Sequence, residues 1–246
     1  MTTSASSETQ PRFVGLTILP MTDVSIRRIG VFYDGSYFTI ASKHMAGQFG
    51  WLQVEPFQRL IKTYLREKEP DYTQHRVVYA AWFQGISDIN HADEKQLRYD
   101  RRMHDELMRA GIEIRLMPIS QSQSKEKGVD VALAIDALQV ALDRKIDIAA
   151  LVTGDSDFVP LVRALVKNNV RVLAAHFDQC YGDQQDFASQ RLTDACDYVL
   201  NVSKLTTEKH YEAAFKGLFR PPDGSLPEQM QVANSYNTPA PTANRG

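Results

Sequence analysis

Thiols are nearly absent from this chain: Cys180 and Cys196 are the only two cysteines in 246 residues. They lack the CxxC spacing of a thiolate zinc site and are too few for a disulfide framework. Long apolar runs are missing as well, and nothing approaches the ~20 residues that a membrane span needs. The opening MTTSASSETQPR has no basic stretch followed by an apolar one, so it does not read as a secretory signal. A reducing, cytoplasmic setting with no membrane partner is the expectation. An excess of charge is also lacking. The 28 Lys and Arg stand against 30 Asp and Glu, for a net charge of −2. The chain as a whole therefore does not attract nucleic acid, and any such binding needs a local basic patch. Histidines are scattered (His44, His75, His91, His104, His176 and His210) with no metal-ligand spacing between them.

What is present is ordinary for a globular protein: 43% apolar and 24% charged residues, on a length that supports one domain with a sizeable core. Residues 1–25 are rich in Ser and Thr and read as a flexible segment, with FVGLTILP as its one apolar patch. Residues 219–246 carry Pro, Asn, Ser and Gly without periodicity, a composition that cannot offset its ordering entropy, so a disordered tail is expected. The folded domain is placed at 26–218.

Within it, strand-like and helix-like segments alternate. RIGVFYD, RVVYAAWF, IEIRLMPI, IDIAALVTGD and VRVLAAHF are short, β-branched or near-continuously apolar, and DYVLNV reads as a short edge strand. VEPFQRLIKTYLREKE spaces Phe57, Leu60, Ile61, Tyr64 and Leu65 at helical intervals, with Pro56 in its first turn. HADEKQLRYDRRMHDELMRAG is a charged helix with Leu97, Leu107 and Met108 expected on its apolar side and Gly111 as C-cap. VDVALAIDALQVALDR, SDFVPLVRALVKNN, DFASQRLTDAC and SKLTTEKHYEAAFKGLF complete the predicted helices. Apolar strands separated by helices give an α/β class with a mostly parallel central sheet covered on both faces, a three-layer α/β/α domain.

In a parallel sheet, every strand delivers its C-terminal end to one rim, where ligands sit. Asp34 closes the first strand (VFYDGSYF), Asp155 closes the fourth (LVTGDSDF), and Asp157 lies just beyond it. They share a site if those two strands are neighbours. Asp130 opens the apolar helix that feeds the fourth strand, and that helix must start at the same rim. Asp136 is six residues on, about 240° around the helix at ~100° per residue, and does not point where Asp130 points. Singly, these acids read as turn residues or helix caps. Together they suggest a cation: unit charges ~4 Å apart repel by about 4 kcal/mol at an effective dielectric of ~20. Oxygen-only ligation favours Mg²⁺ or Mn²⁺ over zinc.

VFYDGSYF, KGVDVALAIDAL and LVTGDSDFVPLVRALVKNNVRVL resemble, in order and spacing, the signature segments of the NYN domain family. RLTDACDYVLNV resembles the closing segment of its LabA-like branch, within the PIN-like nuclease superfamily. The resemblance spans about Arg28 to Val202. It implies a PIN-like α/β/α domain that hydrolyses RNA phosphodiesters with divalent metal ions. Its acidic cluster maps onto Asp34, Asp130, Asp155 and Asp157 as catalytic and metal-binding residues. One departure is Tyr37, where the family often has Asn after DG-x.

The expected activity is thus a metal-dependent endoribonuclease, with Asp34 and Asp155 binding the principal ion and Asp130 and Asp157 completing its shell or holding a second ion. RNA, single-stranded, would be gripped by Lys125 and Lys127 in the loop before Asp130. Ser36 and Ser156 would supply polar contacts, and Tyr37 and Phe38 stacking. Thr153 is placed to orient water or phosphate. On the charged helix, Arg98, Arg101 and Arg102 interleave with Tyr99 and His104 but are diluted by Asp100, Asp105 and Glu106, a solvated face. His176, Asp178 and Asp183 follow the fifth strand near the same rim. The alternative is a non-catalytic regulator that keeps the fold and binds RNA or protein. A phosphatase or phosphotransferase on a similar sheet is a more distant reading, since YDGS offers one acid at the first strand. A homodimer, and a protein partner held through the C-terminal tail, stay open at this point.

Overall fold

The computed structural model describes residues 25–86, 94–118, 128–181, 184–186 and 188–220. The chain enters through β1 (Ile26–Asp34), α1 (Gly35–Phe49), β2 (Trp51–Leu52) and α2 (Val54–Lys68). It continues through β3 (Gln74–Ile86), α3 (Glu94–Arg109), β4 (Glu113–Pro118), α4 (Val129–Leu142) and β5 (Ile148–Val152). A 3-10 turn at Ser156–Phe158 leads into α5 (Val159–Lys167) and β6 (Arg171–His176). There follow β7 (Gln179–Tyr181), β8 (Gln184–Asp186), α6 (Gln190–Ala195), β9 (Tyr198–Asn201), α7 (Glu212–Lys216) and β10 (Phe219–Arg220).

Six strands form the central sheet in the order β4-β3-β1-β5-β6-β9, every neighbouring pair parallel. The alternation of side chains along each strand sorts the core into two layers. Ile29, Val31, Tyr33, Trp82, Ile148, Ala150 and Val152 face one way, against Phe38 and Ala41 of α1, Phe57, Leu60, Ile61 and Leu65 of α2, and Leu107 of α3. Phe32, Phe83, Ala149, Leu151, Val172 and Ala174 face the other way, against Leu133 and Ala137 of α4, Leu161 and Val162 of α5, and Leu192 of α6. The expected three-layer α/β/α arrangement is what the chain adopts. α4 is apolar on its outer side too, where Val131, Ile135 and Leu142 stay exposed. β9 is the edge strand expected of DYVLNV.

Three local expectations are corrected. On α3, only Leu107 of the three named apolar residues is buried; Leu97 and Met108 are exposed. Met103 and Ala110 pack beside Leu107 instead, because positions four and three apart share a helical face, whereas 108 is turned ~100° from 107. The segment after β9 is not one helix. It forms 3-10 turns at Ser203–Thr207 and Lys209–Tyr211 before the short α7. There the Thr206 and Thr207 hydroxyls donate to the carbonyls of Ser203 and Lys204, and hydroxyls that engage the backbone in this way compete with a regular helix. Finally, β10 pairs antiparallel with β2, so regular structure runs two residues past the boundary expected at 218.

β1 and β5 are locked in register at the end away from the rim. The Arg28 guanidinium donates to both oxygens of Asp147, at 3.0 and 2.7 Å, and to the Arg144 carbonyl at 2.7 Å; the Arg28 amide adds a bond to Asp147 at 2.8 Å. Burial by itself pushes the Asp147 carboxyl up, but the Arg28 hydrogen bonds outweigh it and hold the group below its usual range. A carboxyl depressed in the folded state adds stability above its unfolded pKa near ~3.9, and that stability is lost as pH falls through the lower folded value. Asp147→Asn is therefore expected to lower stability at pH 7 by about 1 kcal/mol, since the pair is partly exposed. That is a drop of about 2–4 °C in Tm for a chain of this size. Melting curves at pH 7 and near pH 3 check it: the gap from the parent should narrow at the acidic end.

Candidate functional site

The condition set by the sequence, that the strands ending in Asp34 and Asp155 be neighbours, is met. β1 pairs directly with β5, with Tyr33 opposite Val152. The next rung brings Asp34 alongside Thr153. Asp34 ends β1 in an extended conformation, and its Oδ1 accepts from the Tyr37 amide at 3.0 Å, capping α1. Asp155 does the same for the following 3-10 turn: its Oδ1 accepts from the Asp157 amide at 2.8 Å, while its own amide donates to Thr153 Oγ1 at 3.3 Å. Thr153 is buried, and Asp155 and Asp157 are exposed. Asp130 is exposed in the first turn of α4, just after Gly128, whose φ of 98° is open to glycine. α4 packs over β1 and β3 on the side that Phe32 faces. Four carboxylates from three chain segments thus meet the same rim.

They do not gather there into a group of three. Among the described residues, no three Asp, Glu, His or Cys side chains stand close enough to hold a metal ion as a group. The caps supply the physical reason. Each of Asp34 and Asp155 is tied through Oδ1 to an amide of its own turn, a bond worth ~1 kcal/mol, and that holds it to its own loop. The donor chemistry still suits a hard divalent cation. Mg²⁺ is typically bound through one or two carboxylates, with water and substrate phosphate filling the remaining positions, and does not require three convergent acids.

Tyr37 is a brace within this rim. Its hydroxyl accepts from the Phe177 amide at 2.9 Å and lies 3.3 Å from the Phe177 carbonyl, tying α1 to the end of β6. Its ring also lies over Gly154, where an added Cβ would meet Tyr37 at 3.3 Å and the Ala188 backbone at 3.2 Å. The loop carrying Asp155 is therefore seated under Tyr37. The expectation that Phe38 stacks a base is corrected: Phe38 is fully buried, edge-on to Tyr33, Phe57 and Trp82. Ser36 and Ser156 are half-buried in the first turns beside Asp34 and Asp155. Lys125, Lys127 and Asp183 lie outside the described residues.

Asp136 is spoken for, as its rotation from Asp130 implied, accepting from the Tyr79 hydroxyl at 2.5 Å. Burial and then that bond push the Tyr79 phenol up to about 12. His176 is buried at the end of β6 with Nδ1 unbonded, 3.8 Å from Asp178 Oδ1. Its imidazole is pushed below its ordinary value, by burial first and by Lys204 in addition, against the pull of Asp178. Asp178 accepts two bonds from the Asn201 amide, at 2.9 and 3.0 Å. Sequence reading did not find that Asn, because the partner strand β9 reaches it only in three dimensions.

A family model for the NYN domain matches residues 28–203, a span that runs from the Arg28 clamp through every rim acid described above. The chain belongs to the NYN domain family. No curated protein matches it. Among solved structures, it is similar to a protein of unknown function from Vibrio parahaemolyticus, at 22% identity and a TM-score of 0.47, covering 74% of this chain and 96% of that one.

On α3 of the NYN domain, basic side chains pair with acids of the same helix. Arg98 pairs with Glu94 at 2.5 Å, and Arg102 lies 3.6 Å from Glu106, one helical turn away. These are exposed i,i+4 pairs of a solvated face, as expected. Tyr99, between them, turns inward against Trp51. Among the described residues of the domain, no helix is long and apolar enough to cross a membrane.

Proposed function

We propose that this NYN domain, of the LabA-like branch, is a metal-dependent endoribonuclease acting on single-stranded RNA. The observation that carries the reading is the direct β1–β5 pairing, which sets Asp34 beside the Thr153–Asp157 loop at the rim where α4 begins with Asp130. Asp34 and Asp155 would hold Mg²⁺ or Mn²⁺, with Asp130 and Asp157 reaching it through water. When bound, such an ion polarises water and offsets the charge that builds on the phosphate oxygens. The protein's part is positional. Thr153 fixes the Asp155 backbone, Tyr37 seats the loop, and the caps keep one oxygen of each principal acid engaged. Ser36 and Ser156 lie beside the acids for polar contact with phosphate.

A second reading has a specific observation behind it. The acids do not converge into a group of three, and Tyr37 stands where the family often has Asn, which suits a regulator that binds RNA without cutting it. One experiment separates the two. Labelled RNA is incubated with the full chain and Mn²⁺ or Mg²⁺, with and without chelator, beside Asp155→Asn. Cleavage that leaves a 5′-phosphate and a 3′-hydroxyl, and that chelator or the variant abolishes, supports the nuclease. Binding without cleavage supports the regulator, and cleavage surviving both treatments overturns the proposed site.

A further inference from the structure

A cluster of positive charge lies at the opposite end of the sheet from the acids. On α2, Arg59, Lys62 and Arg66 occupy positions i, i+3 and i+7, one face of the helix. The opposite face buries Phe57, Leu60, Ile61 and Leu65 in the core. Arg76 joins them from the start of β3, and together they line an open pocket of about 360 Å³ that has no acidic residue in its lining. Arg59 pairs with Glu55 one turn back. Among the described residues, Lys62, Arg66 and Arg76 have no ion-pair partner. Cations crowded this way repel one another as the rim acids do, in a chain whose net charge is −2.

A second observation concerns the wall of the same pocket. His75, which also lines it, has a side chain only 1% exposed, yet neither ring nitrogen has a hydrogen-bond partner. Glu69 Oε2, at 3.9 Å from Nε2, is too far for one and is already engaged by Arg27 at 2.6 Å. An unpaired buried polar group of this kind is destabilising. β4 pairs with β3 only from Ala81 onward, so the stretch Gln74–Ala80 is a sheet edge that leaves the pocket open to a long ligand.

We propose that this pocket binds the backbone phosphates of RNA whose scissile bond lies at the acidic rim. The inference rests on the endoribonuclease reading for the identity of the ligand, and on the pocket alone for its phosphate chemistry. Arg76 is level with Arg28, and Asp34 with Phe83, so pocket and rim are about 20 Å apart along β1 at ~3.3 Å per residue. A strand of roughly six stacked nucleotides at ~3.4 Å each covers that distance. The rim acids repel RNA in the absence of a cation, so affinity must come from elsewhere, and this pocket gathers four cations with no acid in its lining.

The test compares a 4-nucleotide and a 12-nucleotide single-stranded RNA by fluorescence anisotropy across a salt series. It uses the full chain, Lys62→Glu/Arg66→Glu on α2, and Arg76→Glu on β3 as an independent variant. Circular dichroism confirms that each is folded. The double variant is expected to bind the 12-mer at least tenfold more weakly, with a salt slope shallower by about 1.4 for two lost phosphate contacts, and the 4-mer unchanged. If the NYN domain cleaves RNA, KM for the 12-mer rises while kcat holds. Absence of cleavage would sink the nuclease reading, and the length dependence of binding would still decide for or against the pocket. Unchanged 12-mer affinity in all variants, or equal weakening for both lengths, would overturn the proposal. Tripolyphosphate raising the parent's Tm but not the variants', with RNA affinity unaltered, would overturn RNA as the occupant.

Discussion

Gly35→Ala is expected to remove a large part of the protein's stability. Gly35 is the first residue of α1, directly after the cap Asp34. A Cβ added there would lie 2.4 Å from Trp82 Nε1, 2.6 Å from Cε2 and 2.8 Å from the Phe83 carbonyl oxygen. Trp82 is fully buried, packed against Tyr33 and Phe38, and held by a 2.8 Å bond from its indole N–H to Gln84. The ring has nowhere to go, and the carbonyl belongs to the strand that pairs with β1. Overpacking of a tight core costs about 1–3 kcal/mol and sometimes more. Loss of the indole bond adds about 1 kcal/mol. The sum, roughly 2–4 kcal/mol, corresponds to a Tm lower by about 4–16 °C for a chain of this length. Thermal unfolding by circular dichroism checks it, and a Tm within 2 °C of the parent would show that α1 starts elsewhere.

Asp34 offers the sharper test of function, because its two roles come apart on substitution. As a cap it accepts a backbone N–H, and Asn does this as well as Asp. As a cation ligand it needs its charge. Asp34→Asn is therefore expected to keep stability within about 0.5 kcal/mol and to lose metal-dependent RNA cleavage by at least about 100-fold. Asp34→Ala should lose the same activity and about 1 kcal/mol of stability as well. Paired denaturation and cleavage assays on the three proteins decide it. If Asp34→Asn cleaves RNA at the parent rate, the acid is a cap and nothing more.

How far these points could be read in advance varies with the range of the interactions behind them. The strands were legible because a parallel strand buried on both faces is written as an apolar run, and IAALV at Ile148–Val152 is buried throughout. The adjacency of β1 and β5 was not legible, since nothing local in VFYDGSYF names its neighbour; topology alone brought Asp34 to the Asp155 loop. The capping bonds that keep the acids apart are an ordinary role for each residue, yet their consequence for convergence needed coordinates. Tyr37 was visible as a departure from the family pattern. That it braces Gly154 and Phe177 was not, because Phe177 lies 140 residues away. The closing segment misled because SKLTTEKHYEAAFKGLF carries helical formers at its end and threonines at its start, and the threonines prevailed. The basic face of α2 was present in the spacing of Arg59, Lys62 and Arg66. It acquired meaning only when β3 set Arg76 and an unpartnered His75 against it.

Mn²⁺ binding in the absence of RNA tests the central claim most directly. Titration of the full chain, followed by the electron paramagnetic resonance signal of free Mn²⁺, should show saturable uptake that weakens by at least about tenfold in Asp34→Asn and again in Asp34→Asn/Asp155→Asn. Equal uptake by the parent and the double variant, both folded, would mean that these acids cap their turns and hold no cation.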